Sequence, residues 1–290
     1  MSRMEGLIIK AVGGLYTVES PDGAVSACKA RGIFRMQGIS PCTGDRVQVT
    51  DGCITEILPR KNQLIRPPLA NLDRLFFVQA VTEPAPNLQI LDKFLAVCVF
   101  KGIEPALVFT KLDLGDAERY AALYRGTGFP VFCVDYQKPE TVRAVYDALA
   151  GSISAFTGNS GVGKSTLLNA LDVRLQLETA DISRKLGRGR HTTRETALYT
   201  LPHGGRVADT PGFSTFETES YAQIAPEDLA DCFPEFRRTE GSCRFADCRH
   251  RKEPDCVIRK AVEEGRIPKS RYDSYLVMLS ESMQRKSWQS

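Results

Sequence analysis

Gly158-Asn159-Ser160-Gly161-Val162-Gly163-Lys164-Ser165 lies between an apolar run, 153–157, and a helix-like run that opens at Thr166 and extends to 171. The stretch fits G-x-x-x-x-G-K-[ST] in the strand, loop, helix setting that gives this spacing its meaning. Glycines at these positions let successive backbone N–H groups curve around phosphate oxygens, and the helix that follows adds the positive end of its dipole. Lys164 then reaches the outer phosphates and Ser165 offers a hydroxyl to magnesium. The loop therefore predicts an α/β domain built on a mostly parallel sheet, and a site for a nucleoside triphosphate.

The neighbouring sequence supports that fold. Upstream, strand-like runs at 75–81, 106–110 and 131–134 alternate with helical periods at 88–102, 116–126 and 140–150. Such alternation produces parallel strands joined by right-handed crossovers, with ligands bound at the carboxyl ends of the strands. Downstream, Val207-Ala208-Asp209-Thr210-Pro211-Gly212 ends a strand in Asp-x-x-Gly. Asp209 is placed to hold magnesium through water, and the Gly212 amide to sense the γ-phosphate. Between the two motifs, 187–194 (Gly-Arg-Gly-Arg-His-Thr-Thr-Arg) is basic, polar and without apolar period. It reads either as a solvated loop or as a switch whose Thr192 or Thr193 ligates magnesium when the γ-phosphate is present.

The base is addressed by Thr110-Lys111-Leu112-Asp113 at the end of the strand 106–110. A carboxylate there accepts from both N1–H and the exocyclic amine of guanine, which adenine cannot supply, and the lysine stem covers the base plane. This motif precedes the phosphate loop, whereas conventional GTPases place it afterwards. In that order the chain resembles the circularly permuted, small-ribosomal-subunit-dependent GTPases of the RsgA (YjeQ/YloQ) family. The resemblance implies a GTP hydrolase acting late in small-subunit maturation, stimulated by the subunit. Its partners would be that subunit with its rRNA, and GTP or GDP, with the chain a cytoplasmic monomer. Two departures stand out. Thr110 replaces an Asn whose amide ties the base loop to the phosphate loop, and Val134-Asp135-Tyr136 occupies the place of a Ser-rich loop that would support guanine O6.

Phe213 follows Gly212 where Ras-like enzymes carry a water-orienting Gln. An apolar ring cannot orient water, so catalysis needs a polar group from elsewhere. His191 is the internal candidate, and a phosphate or rRNA contact is its competing role. A nucleotide-switched RNA-binding protein without hydrolysis is the alternative reading of the whole chain.

Two further segments flank the α/β region. In residues 1–65, five short strands (6–11, 15–20, 25–29, 45–50, 54–58) separated by turns predict an OB-fold barrel. Lys29, Arg31, Phe34 and Arg35 make either an RNA-binding face or a solvated edge with a packed ring. Residues 66–218 form the expected GTPase domain and 219–290 a helical metal module, with helices at 254–265 and 270–284. There, Cys243-x4-Cys248-x-His250-x5-Cys256 offers three thiolates and an imidazole, a set suited to one closed, structural tetrahedral zinc. The resemblance supports the same four ligands. Arg237, Arg238, Arg244, Arg249, Arg251 and Lys252 surround them against Glu240 and Asp247, as a face for rRNA phosphates or for solvent.

Composition sets the outer bounds. The 290 residues, 42% hydrophobic and 25% charged, are those of a globular protein of more than one domain. A net charge of +3 neither requires nor excludes nucleic acid. The opening residues lack the apolar core and cleavage site of a signal peptide, and the longest apolar run, 94–100, is far short of the ~20 residues of a bilayer span. Of nine cysteines, the six outside the cluster are expected as buried thiols.

Overall fold

The computed structural model of the chain describes residues 3–65, 67–172, 196–209 and 224–289. They divide into two compact units: Met1–Phe76, Val142–Gly158 and Lys164–Ser214 in the first, and Phe77–Thr141, Asn159–Gly163 and Thr215–Ser290 in the second.

The first unit opens with the strands β1 (Arg3–Val12), β2 (Leu15–Glu19), β3 (Val25–Ala30), β4 (Arg46–Thr50) and β5 (Cys53–Ile57). They close into a barrel in the order β1-β2-β3-β5-β4-β1, with only β3 and β5 parallel. Closure works because β1 serves two partners. Its first half pairs with β4 and its second with β2, and a bulge between Ile8 and Lys10 bends it between them. Inward alternation places Ile8, Val18, Cys28, Val47, Val49 and Ile54 in one core.

Phe34 is also part of that core, 7% exposed, on the short helix α1 (Ile33–Met36). The ring caps the barrel and is not available for stacking on RNA; of the two readings of this segment, the packed ring is the one observed. Lys29 and Arg31 remain exposed.

The Gly44-Asp45-Arg46 turn is a structural lock. Gly44 has φ +89°, and a Cβ on it would lie 2.1 Å from the Ala70 carbonyl oxygen, so only glycine fits. Asp45 is fully buried. It accepts from the Cys42 amide at 2.8 Å and from Nε and Nη2 of Arg60 at 2.6 and 2.7 Å. The two-stranded pair β6 (Gln63–Leu64) and β7 (Leu69–Ala70) completes this region.

Next in the chain come β8 (Arg74–Ala80), the helix α2 (Leu88–Phe100), β9 (Glu104–Thr110), α3 (Glu118–Arg125), β10 (Val131–Cys133) and α4 (Pro139–Asp147). They are followed by β11 (Ile153–Thr157), α5 (Lys164–Leu171), β12 (Ala197–Thr200) and β13 (Arg206–Asp209). In the first unit β11 and β13 are parallel, β12 is antiparallel to β13, and β12 meets β1 at Lys10 and Ala197. In the second unit β9 and β10 are parallel, and β8 is the other neighbour of β9. Strands β8 and β9 are buried almost throughout, as expected of strands covered on both faces.

The second unit ends in the helices α6 (Pro234–Arg237), α7 (Val257–Glu263) and α8 (Lys269–Gln289). Arg271 of α8 is 1% exposed and donates to Asp92 of α2 at 2.6 Å and to Glu235 of α6 at 2.8 Å. The Tyr124 hydroxyl donates to the same Asp92 oxygen at 3.0 Å. Removing Arg271 would leave two buried carboxylates uncompensated, so this network fixes how α8 packs on α2. Four of the six cysteines outside the cluster are buried; Cys53 and Cys133 are half-buried, a departure from the expectation. Among the described residues no helix is long and apolar enough to cross a membrane.

Candidate functional site

The phosphate loop stands where the sequence places it, between the end of β11 at Thr157 and the start of α5 at Lys164. Gly161 and Gly163 take φ +81° and +90°, left-handed values that glycine adopts without strain. Gly158 is buried, whereas Asn159, Ser160 and Gly161 are exposed. Val162 is 1% exposed and anchors the loop from below, and Ser165 and Thr166 lie in the first turn of the helix.

Thr110 resolves the first departure. Its side chain is fully buried at the end of β9, and its hydroxyl donates to the Val162 carbonyl at 2.6 Å. A hydroxyl thus makes the tie between base motif and phosphate loop that an asparagine amide would otherwise make. Thr110→Val keeps the shape and strands the Val162 carbonyl, a loss of about 1–2 kcal/mol. We expect nucleotide affinity to fall about 5- to 30-fold with the fold intact, measured by titration with fluorescent GDP; unchanged affinity would refute the tie.

Lys111 adopts the left-handed conformation at φ +57°, and its ammonium donates to the Glu83 carbonyl at 2.6 Å. Glu83 thereby fixes the lysine stem, a contact that the sequence does not signal because the loop after β8 carries no motif. Asp113 sits in the short turn Leu112–Leu114, exposed, with no partner for its carboxylate among the described residues. It is free to accept from a ligand.

The loop after β10 is organised by Thr141. Its hydroxyl accepts from the Asp135 amide at 3.0 Å and donates towards the Asp135 and Lys138 carbonyls, at 2.9 and 2.8 Å. The Asp135 amide is therefore already engaged. The Tyr136 hydroxyl lies 4.0 Å from where a Cβ on Gly163 would project, and burial pushes this phenol up to about 12. Tyr136, in the stretch that stands in the place of a Ser-rich loop, thus borders the phosphate loop.

Asp209 ends β13, its backbone opposite Ala197. His191, Thr192, Thr193 and Gly212 lie outside the described residues.

The metal-ligand candidates converge. Cys243, Cys248, His250 and Cys256 bring one donor atom each to within 4.8 Å of one another. His250 Nδ1 is 3.6, 3.5 and 3.3 Å from the sulfurs of Cys243, Cys248 and Cys256, and Cys243 Sγ to Cys256 Sγ is 3.8 Å. With bonds of about 2.3 Å to sulfur and 2.0 Å to nitrogen, a tetrahedral site has edges of about 3.5–3.8 Å. The donor set and its spacing are thus compatible with zinc. The surrounding backbone is held by polar clasps. Glu253 accepts from the amides of Arg249, Arg251 and Lys252, and the hydroxyls of Tyr272 and Tyr275 donate to the carbonyls of His250 and Arg249.

A phosphate loop between β11 and α5, tied to a Thr-Lys-x-Asp motif that comes earlier in the chain, defines a P-loop GTPase with permuted motif order. The RsgA GTPase family model matches residues 57–219, and the RsgA N-terminal domain model residues 5–53. The chain belongs to the RsgA GTPase family and is a GTP-hydrolysing P-loop enzyme. The small ribosomal subunit biogenesis GTPase RsgA of Shouchella clausii is 44% identical over 97% of this chain and 98% of its own length. The Moorella thermoacetica protein of the same name is 42% identical with the same coverage. Among solved structures, YjeQ from Thermotoga maritima matches with a TM-score of 0.79 at 33% identity, covering 97% of this chain and 99% of its own. YloQ, a circularly permuted GTPase, matches with 0.80 at 34%, covering 98% and 96%.

Proposed function

We propose that this chain hydrolyses GTP in the maturation of the small ribosomal subunit, the role named for its relatives. The observation that carries the nucleotide part is the Thr110 to Val162 hydrogen bond, which couples base motif and phosphate loop across a permuted chain. In this reading Asp113 accepts from the guanine edge, the Lys111 stem covers the ring, and the loop amides from Asn159 to Ser165 cradle the phosphates. Lys164 faces the β- and γ-phosphates, and Ser165 and Asp209 hold magnesium, which neutralises charge on the phosphate oxygens when bound. Thr192 or Thr193 and the Gly212 amide sense the γ-phosphate. Phe213 cannot orient water, so hydrolysis is slow until the partner orders His191 or supplies a polar group of its own.

The organisation we propose is a barrel in 1–65, the GTPase domain in 66–218 and a metal module in 219–290, in a monomer of the cytoplasm. One structural zinc is held by Cys243, Cys248, His250 and Cys256. Four protein ligands leave it no open position, so it shapes the module and takes no part in chemistry. The cations of the module face rRNA phosphates. GTP turnover with and without purified small subunits tests the reading; stimulation supports it and equal rates at physiological salt overturn it.

A further inference from the structure

Guanine presents two kinds of edge. Its N1–H and exocyclic amine are donors, which the Asp113 carboxylate takes in the proposed complex, whereas O6 and N7 are acceptors and need donors from the chain. An asparagine in place of Thr110 would carry two amide protons, one for the phosphate loop and one for the base. The Thr110 hydroxyl carries a single proton, and two carbonyls already compete for it, Val162 at 2.6 Å and Gln79 at 3.3 Å. The tie to the loop is kept, and the base edge is left one donor short.

The loop after β10 holds a replacement. Strands β9 and β10 are parallel, so the residues that follow β10 emerge at the same end of the sheet as Thr110. Three amides of that loop are engaged: Asp135 donates to the Thr141 hydroxyl at 3.0 Å, Gln137 to the Asp135 carboxylate at 3.0 Å, and Lys138 to the Asp135 carbonyl at 2.9 Å. Tyr136 differs, because neither its amide nor its hydroxyl has a partner among the described residues. The residue is 41% exposed and so within reach of a ligand. Its hydroxyl and that of Thr110 lie on the same side of Gly163, 4.0 and 3.6 Å from where a Cβ on that glycine would project. Partial burial keeps the phenol protonated well above neutral pH, so the hydroxyl is a donor.

We propose that the Tyr136 hydroxyl donates to N7 of the bound guanine nucleotide, supplying the proton that Thr110 has spent on the phosphate loop, while the Tyr136 amide is left for O6. Thr110 and Tyr136 then divide between them the two bonds of one asparagine. The inference rests on the reading that Thr110-Lys111-Leu112-Asp113 holds guanine. Adenine carries the same N7, so Tyr136 sets affinity and the choice between the bases stays with Asp113 and O6.

The test is displacement of a fluorescent GDP from the full chain by GDP, by 7-deaza-GDP, in which a C–H replaces N7, and by ADP. The wild type should bind 7-deaza-GDP about fivefold more weakly than GDP, the effect of one hydrogen bond. Tyr136→Phe should lose about the same factor toward GDP and bind GDP and 7-deaza-GDP equally, since the bond the variant lacks is the one the analogue lacks. Because the hydroxyl bonds nothing among the described residues, the variant is expected to fold. A purely structural role would weaken both nucleotides alike and keep their wild-type ratio, which would overturn the inference. Equal wild-type affinity for GDP and 7-deaza-GDP would overturn it too, as would undiminished GDP affinity in Tyr136→Phe. A wild-type chain that binds ADP as well as GDP would instead overturn the reading of the base motif beneath it.

Discussion

Cys256→Ser, or chelation of the wild-type chain, should remove the bound zinc and unfold the segment from Cys243 to Cys256. The expectation follows from how little else holds that segment. It contains no helix or strand, and it carries two non-glycine residues in left-handed conformations, His250 at φ +56° and Asp255 at φ +55°. Each such residue costs of order 1–3 kcal/mol and persists only where surrounding contacts enforce it. Glu253, Tyr272 and Tyr275 clasp the backbone, but Glu253 is partly exposed and its bonds are contested by water. Structural zinc in small modules supplies about 10–16 kcal/mol of binding free energy at neutral pH, far more than these clasps can offer. The wild type should hold one zinc per chain and resist proteolysis here. The variant should hold well below one and be cut between Cys243 and Cys256, while the barrel stays protected. Intact protection in zinc-free protein would refute a structural metal.

The second large effect is a change of base specificity at Asp113. In the proposed complex its carboxylate accepts from two N–H groups of guanine, and charge-assisted hydrogen bonds contribute about 1.5–3 kcal/mol each. Asp113→Asn replaces one acceptor by a donor and sets N–H against N–H. Affinity for GTP should fall by about 10²- to 10⁴-fold. Xanthine carries a carbonyl where guanine has its exocyclic amine, so the same variant should gain XTP in the same measure, while ATP stays excluded from both. Because Asp113 is exposed and has no partner among the described residues, the exchange should leave folding untouched. Competition of GTP, XTP and ATP for a fluorescent nucleotide reads all three. An unchanged preference for GTP over XTP would remove Asp113 from the base site.

Most of the architecture could be read along the chain because it rests on local periodicity. The five barrel strands and the strands β8 to β11 lie within a few residues of the expected runs, since alternation and continuous apolar runs are properties of each segment by itself. Strand β12 gave no such signal: Ala-Leu-Tyr-Thr is too short to alternate, and it is a strand because β13 and β1 supply its partners. The basic residues flanking Phe34 left it readable either as a stacking ring or as a packed one, and α1 turns it into the barrel. At the proposed nucleotide site, motif spacing singles out the loop and Asp113. The compensation for Thr110 is not legible there, because its partner is the Val162 carbonyl, 52 residues away and invisible to any local pattern. The same holds for the Glu83 carbonyl under Lys111 and for Thr141 beneath Asp135. These are backbone contacts that a sequence records only as an unremarkable residue.

The central claim, a permuted GTPase whose hydrolysis answers to the small ribosomal subunit, is tested most directly by steady-state GTP turnover of the zinc-loaded chain. The measurement compares free small subunits, free large subunits and buffer at physiological salt. We expect slow turnover alone, a marked increase with small subunits and none with large ones. Equal rates in the three conditions would contradict it.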